Sequence, residues 1–146
     1  MPLSVDEVTE RLREHDLRVT ASRIAVYSAV AELPGHPEVD SIAERVRDQL
    51  GTASTQAVYD GLRALTEVGL LRRIEPAGSP ARYETRVGDN HHHVVCRICG
   101  AAHDIDCAVG AAPCLDPSDA GGFAIDEAEV TFWGVCPDCR AKKGAA

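Results

Sequence analysis

Six cysteines and a run of three histidines are the residues whose types and spacing could do chemistry. Four of the cysteines form two Cys-x-x-Cys pairs, CRIC at Cys96 and Cys99 and CPDC at Cys136 and Cys139, with 36 residues between the pairs. Each pair can supply two thiolates from one turn, and two pairs complete the sulfur tetrahedron that zinc prefers. Because the pairs would tie two distant segments together, they predict a structural Zn²⁺ site.

The three histidines stand directly ahead of the first cysteine pair, in NHHHVVCRICG. On a strand, His91 and His93 point to one face and His92 to the other, so two imidazoles could share a second cation. Mixed nitrogen and oxygen ligands suit Fe²⁺, Mn²⁺ or Zn²⁺. On spacing alone, the histidines could equally form the solvated end of a strand. Candidate completing ligands are His36 in PGHPEVD, Glu84 in ARYETR and Asp104 in AAHDID.

The remaining cysteines, Cys107 and Cys114, lie between the two pairs. Their spacing would permit a reversible disulfide, which makes them candidate redox-active thiols. The alternative is that both are small, buried and unreactive side chains. The sequence leaves the two interpretations open.

Length and composition fit one ordinary domain or two small ones, because 146 residues with 45% apolar content can build a core. The N-terminal segment has neither the basic region nor the apolar region of an export signal, and the apolar stretches are short. We therefore expect a cytoplasmic protein without a membrane segment. In a reducing compartment, cysteines serve as metal ligands or redox thiols more often than as a disulfide framework.

Helical periodicity organises the first half of the chain. Three amphipathic segments precede STQAVYDGLRALTEVGLL, in which Val58, Leu62 and Leu65 form an apolar stripe. Two strand-like runs, LLRRIE and ARYETR, then flank the turn PAGSP. Helices followed by a two-stranded wing predict a winged helix-turn-helix, whose recognition helix enters the DNA major groove.

A change of character near RVGDN divides the chain, because short strands, glycine-rich turns and all six cysteines follow it. We therefore predict an α+β protein with two domains. Residues 1–87 would be the winged-helix DNA-binding domain, and residues 88–146 an α/β metal-binding dimerisation domain with the structural zinc.

Charge limits how DNA could be bound. The net charge of −8 argues against indiscriminate binding to nucleic acid, although 11 of the 15 basic residues precede residue 88. Asp60, on the predicted recognition helix, is unfavourable near phosphate. The alternative interpretation of that helix is a solvated face on an ordinary helical domain. Candidate DNA-binding residues are Arg18, Gln56, Tyr59 and Arg63.

Several segments together resemble the ferric uptake regulator (Fur) family, in the order in which that family has them. They are LRVTASR, STQAVYDGLRALTEVGLLRRI, ARYE, HHHVVCRICG and WGVCPDC. The resemblance as a whole covers the chain from about Leu3 to Cys139. The segments VYDGLRAL and GDNHHHVVC are most similar to the actinobacterial catalase-peroxidase repressors of that family.

The resemblance implies a homodimeric winged-helix repressor that binds a double-stranded DNA operator more tightly when a divalent metal is bound. Its regulatory ligand pattern falls on His36, Glu84, His91 and His93, with Asp104 as a fifth ligand, and its structural zinc pattern falls on the four paired cysteines. Tyr59 matches a tyrosine that contacts bases, and Arg18 matches a basic position near the minor groove.

The chain also departs from the family pattern. Many relatives have arginine at the position of Asp60, and ligands of a further metal site correspond here to Asn90 and Ala128. Peroxide sensors of the family tend to have aspartate where this chain has Glu84.

Other classes of protein explain fewer of these features. A rubredoxin-like electron carrier with iron on the four thiolates would leave the helices and histidines without a role. A zinc deaminase would need a His-x-Glu element ahead of a Pro-Cys-x-x-Cys, a combination that the sequence lacks. We find no nucleophilic triad or phosphate-binding glycine loop, so we expect no enzyme activity.

Overall fold

The computed structural model describes residues 1–89, 91–106 and 117–144. The chain divides into two compact units, Met1–Gly88 and Asp89–Ala146. Helices dominate the first unit and strands the second, which confirms the expected α+β class. Among the described residues, none of the helices has the length and apolar character that crossing a membrane requires.

Four helices and a two-stranded hairpin build the first unit, and short polar side chains set where the helices begin. Thr20 Oγ1 accepts the Arg23 N–H at 3.1 Å, and Ser54 Oγ accepts the Ala57 N–H at 3.1 Å, so each satisfies a backbone donor that the helix cannot. Gly51 ends the third helix in the left-handed region, with φ of 80°. The elements are α1 (Val5–Glu14), α2 (Ala21–Glu32), α3 (Val39–Leu50), α4 (Thr55–Glu67), β1 (Arg72–Ile74) and β2 (Arg82–Glu84).

The core of the first unit lies between the apolar faces of the helices. The predicted stripe of α4 is buried, since Val58, Leu62 and Leu65 are each 0% exposed. Burying a side chain of this size stabilises the fold by about 1.5–3 kcal/mol. Gly61 lets α4 approach α2 closely, because a Cβ at this position would lie 3.1 Å from Cγ2 of Val26.

The wing is the antiparallel pair β1–β2, in which Arg72 lies opposite Glu84. A turn at the predicted PAGSP segment joins the strands, and there the Ser79 N–H donates to the Pro76 carbonyl at 2.9 Å. On its other side, β2 contacts the segment that precedes α3, because the Tyr83 N–H donates to the Pro37 carbonyl at 3.0 Å. That contact fixes the end of the wing beside the loop before α3.

The second unit is built on the strands β3 (His91–Cys96), β4 (Ala102–Asp106) and β5 (Thr131–Gly134), followed by helix α5 (Pro137–Gly144). Strand β3 is central, and it pairs antiparallel with β4 and parallel with β5. His93 lies opposite Asp104 on β4, whereas Cys96 lies opposite Gly134 on β5. The two edges of β3 therefore pair with different strands.

Candidate metal centres and nucleic-acid interface

The four paired cysteines lie together in the second unit, with their sulfur atoms all within 4.8 Å of one another. The Sγ atoms of Cys99 and Cys136 are 3.7 Å apart. Sulfurs bound about 2.3 Å from a central zinc in a tetrahedron would be about 3.8 Å apart, so this cluster fits Zn²⁺. The structure thus brings together all four cysteines that the spacing predicted as ligands.

The parallel pairing of β3 and β5 positions the cluster. Both strands end at the same edge of the sheet, where the Arg97 N–H donates to the Gly134 carbonyl at 2.8 Å. The first Cys-x-x-Cys turn follows β3 at this edge, and the second leads from β5 into α5. A bound zinc would therefore link the ends of two neighbouring strands that are far apart in the sequence.

Backbone hydrogen bonds prepare one of these sulfurs to bind a cation. The N–H groups of Cys136 and Ile98 each donate to Cys96 Sγ at 3.4 Å. Hydrogen bonding from the backbone of Cys136 and Cys99 lowers the pKa of Cys96 to about 6. The neighbouring Cys136 side chain raises the pKa of Cys139 to about 12. Thiolates this close repel one another, and the charge of a divalent cation offsets that repulsion.

The first unit contributes one pair of candidate regulatory ligands, His36 and Glu84. His36 Nε2 and Glu84 Oε2 are 2.7 Å apart, and both side chains are nearly buried, at 6% and 5% exposed. Arg72 Nε lies 4.0 Å from the other oxygen of Glu84. An imidazole and a carboxylate with their ligand atoms this close can occupy neighbouring positions around one divalent metal.

The second unit contributes the other candidate ligands on one face of its sheet. The Nε2 atoms of His91 and His93 lie 3.6 and 3.3 Å from Oδ1 of Asp104. The two histidines are each 1% exposed, and their rings meet edge to face at 4.9 Å. Ligands about 2.1 Å from one metal are about 3.0–3.4 Å apart, so His93 and Asp104 fit a shared cation as they stand, whereas the distance from His91 to Asp104 is slightly longer.

Hydrogen bonds of the histidine run show which ring nitrogen is available to the candidate site and which ring points away from it. Asp89 Oδ1 lies 2.6 Å from His91 Nδ1, and a carboxylate only accepts, so Nδ1 carries the proton and Nε2 is left to ligate. His92 points to the opposite face, as the strand alternation predicted, where its Nδ1 accepts the Val130 N–H at 3.2 Å. Sequence reasoning missed Asp89, although an acidic residue two positions before the first histidine was the available signal.

The candidate DNA-reading residues lie on the polar face of α4, within the first unit. Tyr59 is 49% exposed, and the side chain of Arg63 is 68% exposed. Asp60 Oδ1 accepts from Gln56 Nε2 at 2.9 Å and from Arg63 Nη2 at 2.7 Å. This face borders a depression of about 310 Å³ whose other side includes residues of the wing.

Two local contacts support the helix-turn-helix geometry around α4. Arg47 on α3 donates to the Ala53 carbonyl at 3.2 Å and to Thr55 Oγ1 at 3.3 Å, which fixes the turn between the helices. Arg18 is exposed ahead of α2, and its carbonyl accepts from Arg23 Nη1 at 2.7 Å.

The candidate redox thiols, Cys107 and Cys114, lie outside the described residues.

Comparison with known proteins agrees with these features. The family model described as the ferric uptake regulator family matches residues 14–131. The chain is 58% identical over 136 residues to the transcriptional regulator FurA of Mycobacterium tuberculosis, covering 93% of this chain and 92% of that protein. It is 27% identical over 142 residues to the peroxide operon regulator of Bacillus subtilis, covering 94% of each.

Solved structures show the same fold. The ferric uptake regulator of Helicobacter pylori, described as having three functional metal binding sites, superimposes with a TM-score of 0.72. That match has 18% sequence identity and covers 94% of this chain and 95% of the other. The relatives are named as transcriptional regulators, which leaves no support for the rubredoxin-like alternative. By its sequence and its fold, this chain is a transcriptional regulator that belongs to the ferric uptake regulator family.

Proposed function

We propose that the chain is a cytoplasmic, homodimeric repressor that binds a double-stranded DNA operator when a regulatory divalent metal is bound. Its targets would be oxidative-stress genes, such as that of a catalase-peroxidase, or iron-related genes. The observation that carries this proposal is that each unit brings ligand atoms close together, His36 with Glu84 in the first and the two buried imidazoles with Asp104 in the second. Imidazole nitrogens and carboxylate oxygens at such short distances are the donors that first-row divalent metals accept.

The two sets of ligands would serve one regulatory cation, Fe²⁺, Mn²⁺ or Zn²⁺. His36 and Glu84 offer one nitrogen and one or two oxygens, whereas His91, His93 and Asp104 offer two nitrogens and an oxygen. Such mixed donors accept several first-row metals, so metal supply as well as affinity would decide which one binds. The four cysteines would hold a separate structural Zn²⁺, because a closed thiolate site has no open position.

Ligands from both units would couple metal binding to DNA binding. A cation that takes ligands from the DNA-binding unit and from the sheet unit favours whichever arrangement satisfies all of them. In a homodimer, that arrangement sets the separation of two α4 helices, which must match half-sites about one helical turn or a multiple apart. Loss of a ligand would then release the operator and allow transcription.

The redox response has two candidate origins. Oxidation of a ligating imidazole by peroxide would remove one nitrogen donor from the regulatory site. Glu84 is one methylene longer than the aspartate of the family's peroxide sensors, and this difference would change the sensitivity to peroxide. Alternatively, Cys107 and Cys114 would form a reversible disulfide. The two origins differ in what restores DNA binding, since a thiol reductant reverses only the second.

The test measures operator affinity against Mn²⁺ or Fe²⁺ concentration at one fixed salt concentration, with and without peroxide. His36→Ala and His91→Ala should keep the cysteine-bound zinc and the fold but lose metal-stimulated DNA binding. His103→Ala is the matched control, because this imidazole is exposed on β4. If both test variants respond to metal as the parent does, the regulatory site is wrong and the signal must be sought at Cys107 and Cys114.

A further inference from the structure

Asp60 occupies the middle of the polar face of α4, between two side chains proposed to read DNA. A single oxygen, Oδ1, accepts from Gln56 Nε2 at 2.9 Å and from Arg63 Nη2 at 2.7 Å. The helical spacing makes both contacts possible, because residues three and four positions apart share a face. One carboxylate therefore links the amide and the guanidinium on this surface.

These contacts change what the two side chains offer to DNA. The guanidinium of Arg63 is already paired with an anion, which reduces its attraction for phosphate. The amide of Gln56 has one N–H engaged, so its carbonyl oxygen and second N–H remain for another partner. The carboxylate of Asp60, whose side chain is 45% exposed, also repels nearby phosphates. Both effects would weaken the binding of arbitrary DNA to this face.

Resting on the reading role proposed for α4, we propose that Asp60 is a specificity-determining residue that withholds Arg63 and Gln56 from phosphate and releases them only to matching base edges. At a matching site, guanine O6 and N7 accept from arginine, and the adenine edge pairs with the glutamine amide. These acceptors replace the hydrogen bonds to Asp60 and carry no full negative charge. Phosphate contacts alone offer no such discrimination between sequences.

The negative net charge of the protein makes discrimination depend on the side chains that contact the DNA. A protein with a charge of −8 gains little affinity from long-range attraction to the duplex. Its discrimination must come from a few side chains on the contacting face, and a carboxylate there penalises every site that lacks the right bases. Asp60 thus reduces competition from arbitrary sequences, which outnumber operators in a genome.

The experiment compares two duplexes of equal length, one selected from random DNA by the metal-loaded parent and one scrambled from it. Asp60→Ala should raise affinity for the scrambled duplex about fivefold, because an exposed ion pair and one nearby phosphate each contribute a factor of about two to three in water. Affinity for the selected duplex should rise less, so the ratio between the duplexes falls. The dependence of log affinity on log salt should steepen by about 1, since Arg63 becomes available to phosphate.

Two further variants make the result unambiguous. Asp48→Asn removes one exposed carboxylate from α3 and should leave the ratio unchanged, which separates position from net charge. Tyr59→Ala tests the reading role of α4 by itself. If Tyr59→Ala abolishes selective binding but Asp60→Ala leaves the ratio and salt slope unchanged, only this inference is wrong. If Tyr59→Ala binds both duplexes like the parent and Asp60→Ala leaves their affinity ratio unchanged, α4 is not the reader and both proposals fall.

Discussion

Replacing Asp89 with asparagine is expected to weaken Mn²⁺ binding at the proposed regulatory site about tenfold, which corresponds to ~1.4 kcal/mol. The carboxylate accepts the proton of His91 Nδ1 at 2.6 Å, and this hydrogen bond orients Nε2 toward the side of the sheet that carries Asp104. Loss of such an outer partner costs about 10–100-fold in metal affinity. The lower end applies here because Asp89 is 43% exposed, and water screens its charge.

The comparison of two substitutions separates the charge of Asp89 from its role in orienting the ring. Asparagine still offers an oxygen that can accept from Nδ1–H, whereas alanine offers none, so Asp89→Ala should lose more affinity than Asp89→Asn. Calorimetric titration with Mn²⁺ avoids oxidation of the protein and measures the affinity directly. Zinc content, measured in parallel, should stay that of the parent because the four cysteines are untouched.

A matched control removes a different carboxylate from the same unit. Asp119→Asn changes a side chain whose oxygen accepts the Gly121 N–H at 2.8 Å, and it should leave Mn²⁺ affinity unaltered. Affinity within about twofold of the parent in both Asp89 variants would show that strand β3 alone orients His91, and the reasoning from the outer hydrogen bond would be refuted.

Three further predictions test the remaining features. Cys139→Ser should remove about one zinc per chain and lower the melting temperature, and full zinc content by elemental analysis would contradict the four-thiolate site. Because Glu84→Asp removes one methylene from an oxygen ligand, it should shift the preference between Fe²⁺ and Mn²⁺ in competition titrations. The circular dichroism spectrum should stay unchanged. Leu62→Ala should cost about 2–5 kcal/mol in urea unfolding of the first unit, against less than about 0.5 kcal/mol for the exposed Val5→Ala.

The helices of the first unit were predictable because their signals are local. Thr20 and Gly51 mark a helix start and a helix end through hydrogen bonds and backbone angles that involve only neighbouring residues. The apolar stripe of α4 likewise follows from 3.6-residue periodicity, and its burial is confirmed. Val5 has the same helical spacing as the buried Val8 and Leu12 yet stays 56% exposed, since burial depends on which neighbour covers a face.

The site was predictable in its ligand types but not in its supporting contacts. Spacing predicted the four cysteines as one cluster because zinc chemistry demands four ligands, whatever the fold. Nothing in the spacing indicates that β5 pairs parallel to β3, because such pairing joins distant segments. The hydrogen bonds of Asp89 and Asp60 depend on side-chain rotamers, which the order of residues does not specify.

The close approach of α4 to α2 at Gly61 limits how the protein can respond to a signal. With only a hydrogen where other residues have Cβ, the α4 backbone packs directly against Val26, and sliding along α2 would force methyl groups into it. Packed interfaces of this kind have discrete arrangements rather than a continuous range. Helix α4, the proposed reading helix, is therefore expected to move only as part of a rigid body with α2. Amide hydrogen exchange in the two helices should respond to metal together, as one cooperative unit.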